Sequence, residues 1–268
     1  MSRKPVRVFL IRKNIVLAAC ALLTAAAIFG AVHVPAVITA VTTARQLPIY
    51  CVDRPAEDGK KYCAISFDAA WGNEDTPLLI DILNQYQVKA TFFLVGDWVD
   101  KYPESVQALH EAGMEVMNHS NHHGHYNALS ADQIVADVTA CNDKVKAITG
   151  IAPTLIRCPY GEYDDHVISA IRSIGMEPIQ WDVDSLDWKD YDADTIFKRV
   201  TEHLQPGSIV LFHNAALHTP EALPSILEYM HQNGYTVVPI GQLIYRDGYA
   251  IDHAGRQRPV QPEAKSAG

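Results

Sequence analysis

Short apolar runs alternate with longer amphipathic stretches between Leu47 and about Tyr245. The short runs, rich in β-branched and aromatic residues, predict strands at Tyr62–Phe67, Ala90–Val95, Glu115–Asn118, Thr154–Cys158, Pro178–Val183, Ser208–Phe212 and Thr236–Ile240. Helical spacing predicts helices at Pro77–Gln87, Glu104–Ala112, Ala131–Thr149, Asp165–Ser173, Ala193–Leu204 and Pro220–Asn233. Start and stop residues agree: Ser130 precedes Ala131, Gly150 follows Thr149, and Gly234 ends the last helix.

Strands separated by helices imply parallel pairing, because parallel neighbours need a helical crossover. A barrel and an open doubly wound sheet both fit that order. The polar residues decide between them. Asp68, His119, Tyr160, Asp184 and His213 each fall at or just beyond the C-terminal end of a separate predicted strand. In a β/α barrel those ends share one rim, where active sites are built. The expected fold is therefore α/β, a distorted barrel of seven strands with a site on its rim.

The chain ends read differently. Residues 1–13 carry Arg3, Lys4, Arg7, Arg12 and Lys13 and no acid, while 14–44 contain no Lys, Arg, Asp or Glu. Ile15 to Val32 is an apolar run broken only by Thr24 and Gly30, just long enough to cross a bilayer as a helix. The basic flank on its N-terminal side places the rest of the chain outside the cytoplasm. A cleaved signal peptide is the competing expectation, with Val34 and Ala36 as small residues for a peptidase. Leu17–Cys20 has a lipoprotein-like look, but the sequence stays apolar after Cys20, which rejects it. The expected organisation is a basic cytoplasmic segment (1–13), a transmembrane helix or signal anchor (14–36), a linker (37–47), one catalytic domain (48–245) and a polar, disordered tail (246–268).

Composition is ordinary for a globular protein, 48% hydrophobic and 20% charged, with a formal net charge of -9. Five of the bases sit in the first 13 residues, so the remainder is more acidic still. That balance argues against a nucleic-acid partner. None of the five cysteines forms a CxxC pair, so a thiolate zinc site is not expected. Cys51 and Cys63 bracket a turn-like Arg54–Gly59, which leaves two readings open, a cross-strand disulfide or two small buried hydrophobes. Cys141, inside a predicted helix, reads as core.

Several residues could carry chemistry. His119 and His123 stand four apart, a spacing that on a helical turn would put two imidazoles on one metal ion. His125 lies close by. Asp68, just before a glycine-containing turn, suits a general base, although an aspartate there is commonly a helix cap. His213 suits the matching general acid, and Arg157 could hold a carboxylate by two hydrogen bonds. Asp184 and Asp187 add acids beside Trp188, an aromatic suited to stacking on a sugar or acyl group.

In order, these segments resemble the five motifs of the polysaccharide deacetylase family, the NodB-homology or carbohydrate esterase 4 group. The segments are Ser66-Phe67-Asp68-Ala69, His119-Ser120 with His123, Arg157-Cys158-Pro159-Tyr160, Asp184 to Trp188, and Leu211-Phe212-His213. The wording Phe67-Asp68-Ala69-Ala70-Trp71-Gly72 after a basic, apolar N-terminus is similar to the sporulation-associated branch. The resemblance implies a distorted barrel of the NodB type and removal of N-acetyl groups from a cell-wall glycan. It further implies one divalent metal ion, commonly zinc, with cobalt, nickel or manganese as alternatives. Carried over by position, Asp68 is the base and His213 the acid. His119 and His123 bind the metal, Arg157 orients Asp68, and Asp187 tunes His213. The Tyr160 backbone N–H helps hold the oxyanion, and Trp188 and Leu211 line the acetyl pocket.

One position departs from the pattern. The family's second motif aspartate, a metal ligand, is Ala69 here, leaving two protein ligands where a catalytic zinc ordinarily has three. Asp68, Asn118 or Asn73 are the candidates to complete the shell. The departure keeps a non-catalytic glycan-binding protein in play beside an active N-deacetylase. An O-acetyl esterase acting on acetylated sugars shares the same chemistry.

Overall fold

A computed structural model describes residues 45–54 and 59–260. The expected segments 1–13 and 14–36, and most of the linker, lie outside the described residues. Among the described residues, no helix is long and apolar enough to cross a membrane.

After a two-residue strand, β1 (Cys51–Val52), the chain enters β2 (Lys61–Ala69), the middle of the main sheet. Every residue from Cys63 to Ala69 is buried, as a strand covered on both faces requires. Outward on one side follow β3 (Thr91–Leu94), β4 (Glu115–Asn118), β5 (Leu155–Ile156) and β6 (Glu177–Pro178). On the other side lie β8 (Ile209–His213) and then β7 (Val183–Asp184). The short β9 (Tyr235–Val237) pairs with the first residues of β2. All these pairings are parallel.

Two expectations need correction. The single strand expected at Pro178–Val183 is two pieces on opposite edges of the sheet, β6 beside β5 and β7 beside β8. Side chains explain the break, because they satisfy backbone groups that a ladder would otherwise take. Arg157 donates to the Gln180 carbonyl at 3.1 Å, and the Asp182 carboxylate accepts the Ile209 N–H at 2.8 Å. The two edge strands do not pair, so the sheet is a curled half-barrel and not a closed seven-stranded barrel. Residues before β2 span the opening, with Ile49 bridged to Ile179 and Cys51 to Ser208.

The second correction concerns the tail. Residues expected to be disordered from 246 onward include a hairpin, β10 (Tyr249–Ile251) with β11 (Arg256–Pro259), and β11 lies parallel to β1. The Asp252 carboxylate ties the turn by accepting the Ala254 and Arg256 N–H groups. Buried Gln257 exchanges two hydrogen bonds with the backbone of Tyr245. Strands of three and four residues with charged side chains carry too little alternation to read from sequence. Residues 261–268 lie outside the described residues.

Helices cover the sheet: α1 (Thr76–Gln85), α2 (Gly96–Lys101), α3 (Pro103–Glu111), α4 (Ala131–Thr149), α5 (Asp165–Ser173), α6 (Ala193–His203), α7 (Thr219–Gln232) and α8 (Ile240–Leu243). The pattern did not predict the short α2 and α8. The start of α4 is a capping box, Ser130 and Gln133 each taking the other's backbone N–H, and Gly150 ends it at φ 76°. Phe67 stacks on Phe92 at 4.7 Å and on Phe212 at 5.6 Å between centroids. Each buried ring contributes roughly 2–3 kcal/mol. Phe67 and Phe212 immediately precede Asp68 and His213, so this stack fixes the strand ends that carry them.

Cys51, Cys63, Cys141 and Cys158 are buried free thiols, which decides the open question for Cys51 and Cys63 in favour of buried hydrophobes. Burial pushes each of these thiols up to about 12, far from reactive.

Candidate active site

The C-terminal rim of the half-barrel holds a cavity of about 440 Å³. Asp68, His119, His123, Tyr160, Trp188, Leu211 and His213 all line it. Arg157 and Asp187 stand behind, fully buried, each bonded to one of the lining residues. The sequence-derived set is therefore brought together.

Asp68 ends β2. Its Oδ1 accepts from Arg157 Nη1 at 2.7 Å, and its Oδ2 lies 3.5 Å from His119 Nε2. The Arg157 guanidinium is packed between Phe93, 4.3 Å from the ring centroid, and Trp181, 5.4 Å away. Burial alone would raise the Asp68 pKa, but the Arg157 charge and hydrogen bond, with His119 and His213, outweigh it. The carboxyl is held below its ordinary value and stays ionised.

His119 follows β4, and its Nδ1 donates to the Arg157 carbonyl at 2.8 Å. A carbonyl only accepts, so Nδ1 carries the hydrogen and Nε2 presents its lone pair to the cavity. Burial lowers the His119 pKa. His123 is lowered to about 4, first by burial and then because the neighbouring His119 disfavours a second positive charge. Both imidazoles are thus neutral, as ligands must be. Their rings meet edge to face at 4.9 Å. They do not share a helical turn, contrary to the expectation from spacing. Residues 119–123 form an irregular loop in which Ser120 has φ 71° and His123 φ 53°. Hydrogen bonds from the Ser120 N–H to Asn118 Oδ1 and from the His123 N–H to Ser120 Oγ hold that loop.

His213 ends β8. Asp187 Oδ1 accepts from its Nδ1 at 2.8 Å, and Oδ2 accepts its backbone N–H at 2.8 Å. Asp187 also accepts from Thr219 Oγ1 and the Trp188 N–H, so its orientation is fully determined. Burial pulls the His213 pKa down, but Asp187 and the charges of Asp68 and Asp184 outweigh it and leave it raised.

Tyr160 sits at φ 58° in the turn Pro159–Gly161. Its ring meets His123 edge to face at 4.5 Å and stacks on His125 at 4.4 Å, while His125 Nδ1 is 2.9 Å from Glu162. Sequence reasoning missed Trp181, which lines the cavity and also covers Arg157. The polar break Gln180-Trp181-Asp182 inside a supposed continuous strand was the available signal. Trp71 also lines the cavity, 6.0 Å from His213 between ring centroids.

The metal ligands are less complete than the resemblance implies. Ala69 packs into the apolar cluster under the helices and does not line the cavity. Asn118 spends its amide on the Val138 carbonyl, Asn142 and Ser120, and Asn73 donates to Ser105. Neither asparagine completes a shell. Among the described residues no group of three His, Cys, Asp or Glu side chains is disposed to hold an ion. Two neutral imidazoles are suited to a cation, but the set falls one donor short of a catalytic site with three protein ligands.

Comparison with known proteins agrees with the fold and the motifs. Residues 56–179 match the family model described as Polysaccharide deacetylase. Peptidoglycan-N-acetylmuramic acid deacetylase PdaC of Bacillus subtilis is 32% identical over 191 residues, 71% of this chain and 40% of that protein. The peptidoglycan-N-acetylglucosamine deacetylase of Bacillus cereus is 34% identical over 155 residues, 58% of this chain and 56% of that one. The match thus spans less than two thirds of the length of each of these two relatives. A carbohydrate esterase 4 family pseudoenzyme from Bacillus anthracis superposes with a TM-score of 0.68 at 34% identity, covering 73% of this chain and 68% of that one. A mutant of that protein with restored enzymatic activity gives the same score at 35% identity, covering 73% and 70%. With relatives at this identity and coverage, the chain belongs to the polysaccharide deacetylase family.

Proposed function

We propose that this chain hydrolyses the N-acetyl amide of N-acetylhexosamine residues in a cell-wall glycan of the peptidoglycan type. The observation that carries this reading is the pair of dyads facing one cavity, Arg157–Asp68 at 2.7 Å and Asp187–His213 at 2.8 Å. One dyad keeps a carboxylate ionised and the other favours the protonated imidazole, the two states an amide hydrolysis needs side by side. Asp68 takes a proton from water as its oxygen adds to the acetyl carbon. His213 gives a proton to the nitrogen as the C–N bond breaks, releasing acetate and a free amine. In this reading the Tyr160 N–H serves as oxyanion donor, and Trp188 and Leu211, which line the cavity, wall the acetyl methyl.

One divalent ion, zinc or else cobalt, nickel or manganese, belongs to the reading as the cofactor that His119 and His123 would hold, supplying polarisation of the acetyl carbonyl. The location outside the cytoplasm, the membrane anchor and the sporulation-associated branch rest on residues 1–44 and on the Phe67–Gly72 wording. The second reading is a glycan-binding protein without turnover. Ala69 in the apolar cluster favours it, as does likeness to a wild-type chain described as a pseudoenzyme. Acetate release from peptidoglycan and from chitin oligomers, with chelator and with each metal added back, separates the two. Release that a chelator abolishes supports the hydrolase; binding without release under every metal sinks it.

A further inference from the structure

The turn Pro159–Gly161 has two successive residues in the left-handed region, Tyr160 at φ 58° and Gly161 at φ 67°. Away from glycine that conformation costs roughly 1–2 kcal/mol, so a tyrosine adopts it only where its surroundings impose it. Local hydrogen bonds close the turn, from the Gly161 N–H to the Cys158 carbonyl and from the Glu162 N–H to the Pro159 carbonyl, each at 3.1 Å. They set its shape but not its place on the rim. A hydrogen bond from a distant element reaches it there, with Gln180 Nε2 donating to the Gly161 carbonyl at 2.8 Å. The Trp181 indole packs so close that a Cβ at Gly161 would stand 2.9 Å from its Cη2.

Gln180 is buried and does not line the cavity, and its backbone is fully engaged. Its N–H donates to the Ile49 carbonyl at 2.7 Å, and its carbonyl accepts from Arg157 Nη2 at 3.1 Å. The same guanidinium holds Asp68 through Nη1 at 2.7 Å. One residue is thus bonded to both parts of the apparatus, to the base through Arg157 and to the Tyr160 turn through its own side chain. We infer that Gln180 is a positioning residue, whose side-chain amide holds the Tyr160 N–H where the oxyanion forms, at a fixed distance from the Asp68–Arg157 pair. The inference rests on the hydrolase reading given above and adds to it a residue that never touches substrate. Arg157 bonds to the Gln180 backbone, so replacing the side chain releases the turn and leaves the base in place.

The test compares Gln180→Met with the native full-length chain, zinc supplied, on tetramers of N-acetylglucosamine and of N-trifluoroacetylglucosamine. Methionine keeps the length and the burial of glutamine but cannot donate. Fluorine withdraws charge from the developing oxyanion, so the trifluoroacetyl substrate depends less on a well-placed donor. Gln180→Met loses at least about tenfold in kcat on the acetyl substrate and less than about threefold on the trifluoroacetyl one, since deleting an oxyanion donor outright costs about 10²–10³-fold. Loss of folded protein lowers both rates equally and leaves their ratio unchanged. The acid limb of the pH profile stays in place, because Asp68 keeps Arg157. Gln180→Glu, which also lacks the donor at neutral pH, gives the same pair of losses if the methionine variant does not fold. Equal losses on the two substrates, no loss on the acetyl one, or a displaced acid limb overturn the role of Gln180 and leave the hydrolase reading standing. A native chain that releases neither acid overturns that reading, and the positioning role falls with it.

Discussion

Asp68 and His213 are register partners, their Cα atoms paired across the adjacent parallel strands β2 and β8. Alternation along paired strands puts both side chains on the same face at the same level, the rim of the cavity. The pairing puts an ionised carboxylate and a raised-pKa imidazole beside the same cavity, each braced from behind by a buried partner of opposite charge.

That arrangement predicts that Asp68→Asn and His213→Ala each lower acetate release by at least about 10²-fold, the lower range for a positioned acid or base. Both variants should stay folded, because the Phe67–Phe92–Phe212 stack that fixes the strand ends is untouched. Rates together with circular dichroism melts check this. Full activity in either variant removes that residue from its role.

The pH dependence follows from the two shifts. Activity requires Asp68 ionised, so it falls as pH drops through a pKa held below the ordinary carboxylate range. It also requires His213 protonated, so it falls again as pH rises through a pKa held above the ordinary imidazole value. Asp187→Asn removes the charge that raises His213. The alkaline limb of kcat/KM should therefore move to lower pH while the acid limb stays. An unmoved alkaline limb would mean that His213 is not the group seen titrating.

Much of this site was legible in the sequence because its residues sit at strand ends, and strand ends can be counted from apolar runs. Asp68, His119, Tyr160, Asp184 and His213 are legible that way, and all five line the one cavity. The loop carrying His123 was not, since spacing of four reads as helix while Ser120 and Asn118 fold it into something tighter. Trp181 was hidden because the run Pro178–Val183 looks like one strand. Its break depends on Arg157 and Asp182 reaching distant backbone groups, which no local pattern encodes. Ala69 was recognised as a lost ligand, but its place in the apolar cluster needed the fold.

Asp182, at the break in that expected strand, gives a stability prediction separate from catalysis. Burial raises its pKa to about 6 from an ordinary value of 3.8, although Ile209 and Ser208 donate to it. A carboxyl whose folded pKa is raised binds its proton more tightly in the native state, so stability is lost as pH rises through that window. The loss is on the order of 3 kcal/mol by the time the pH passes 7. Asp182→Asn keeps an acceptor for the Ile209 N–H and an amide for Ser208, but has no charge to desolvate. Its melting temperature should exceed that of the native chain at pH 8 and approach it at pH 4. A native-chain advantage at pH 8 would contradict the assignment.

Ala69→Asp tests the metal question directly. Position 69 closes β2 beside Asp68, and a carboxylate there would be the third donor that the two imidazoles lack. It would also lie in an apolar cluster at a site 1% exposed, so without a cation it is an unpaired buried charge. Two opposite effects follow from the one change. In chelator the variant should melt below the native chain, and in saturating zinc the order should narrow or reverse, because binding to the folded state adds to its stability. Zinc titration should show affinity increased by at least about tenfold, the lower end of what shell changes do. If titration shows no gain while the melting temperature falls in both conditions, the introduced carboxylate has stayed in the core and the empty ligand position lies elsewhere on the rim.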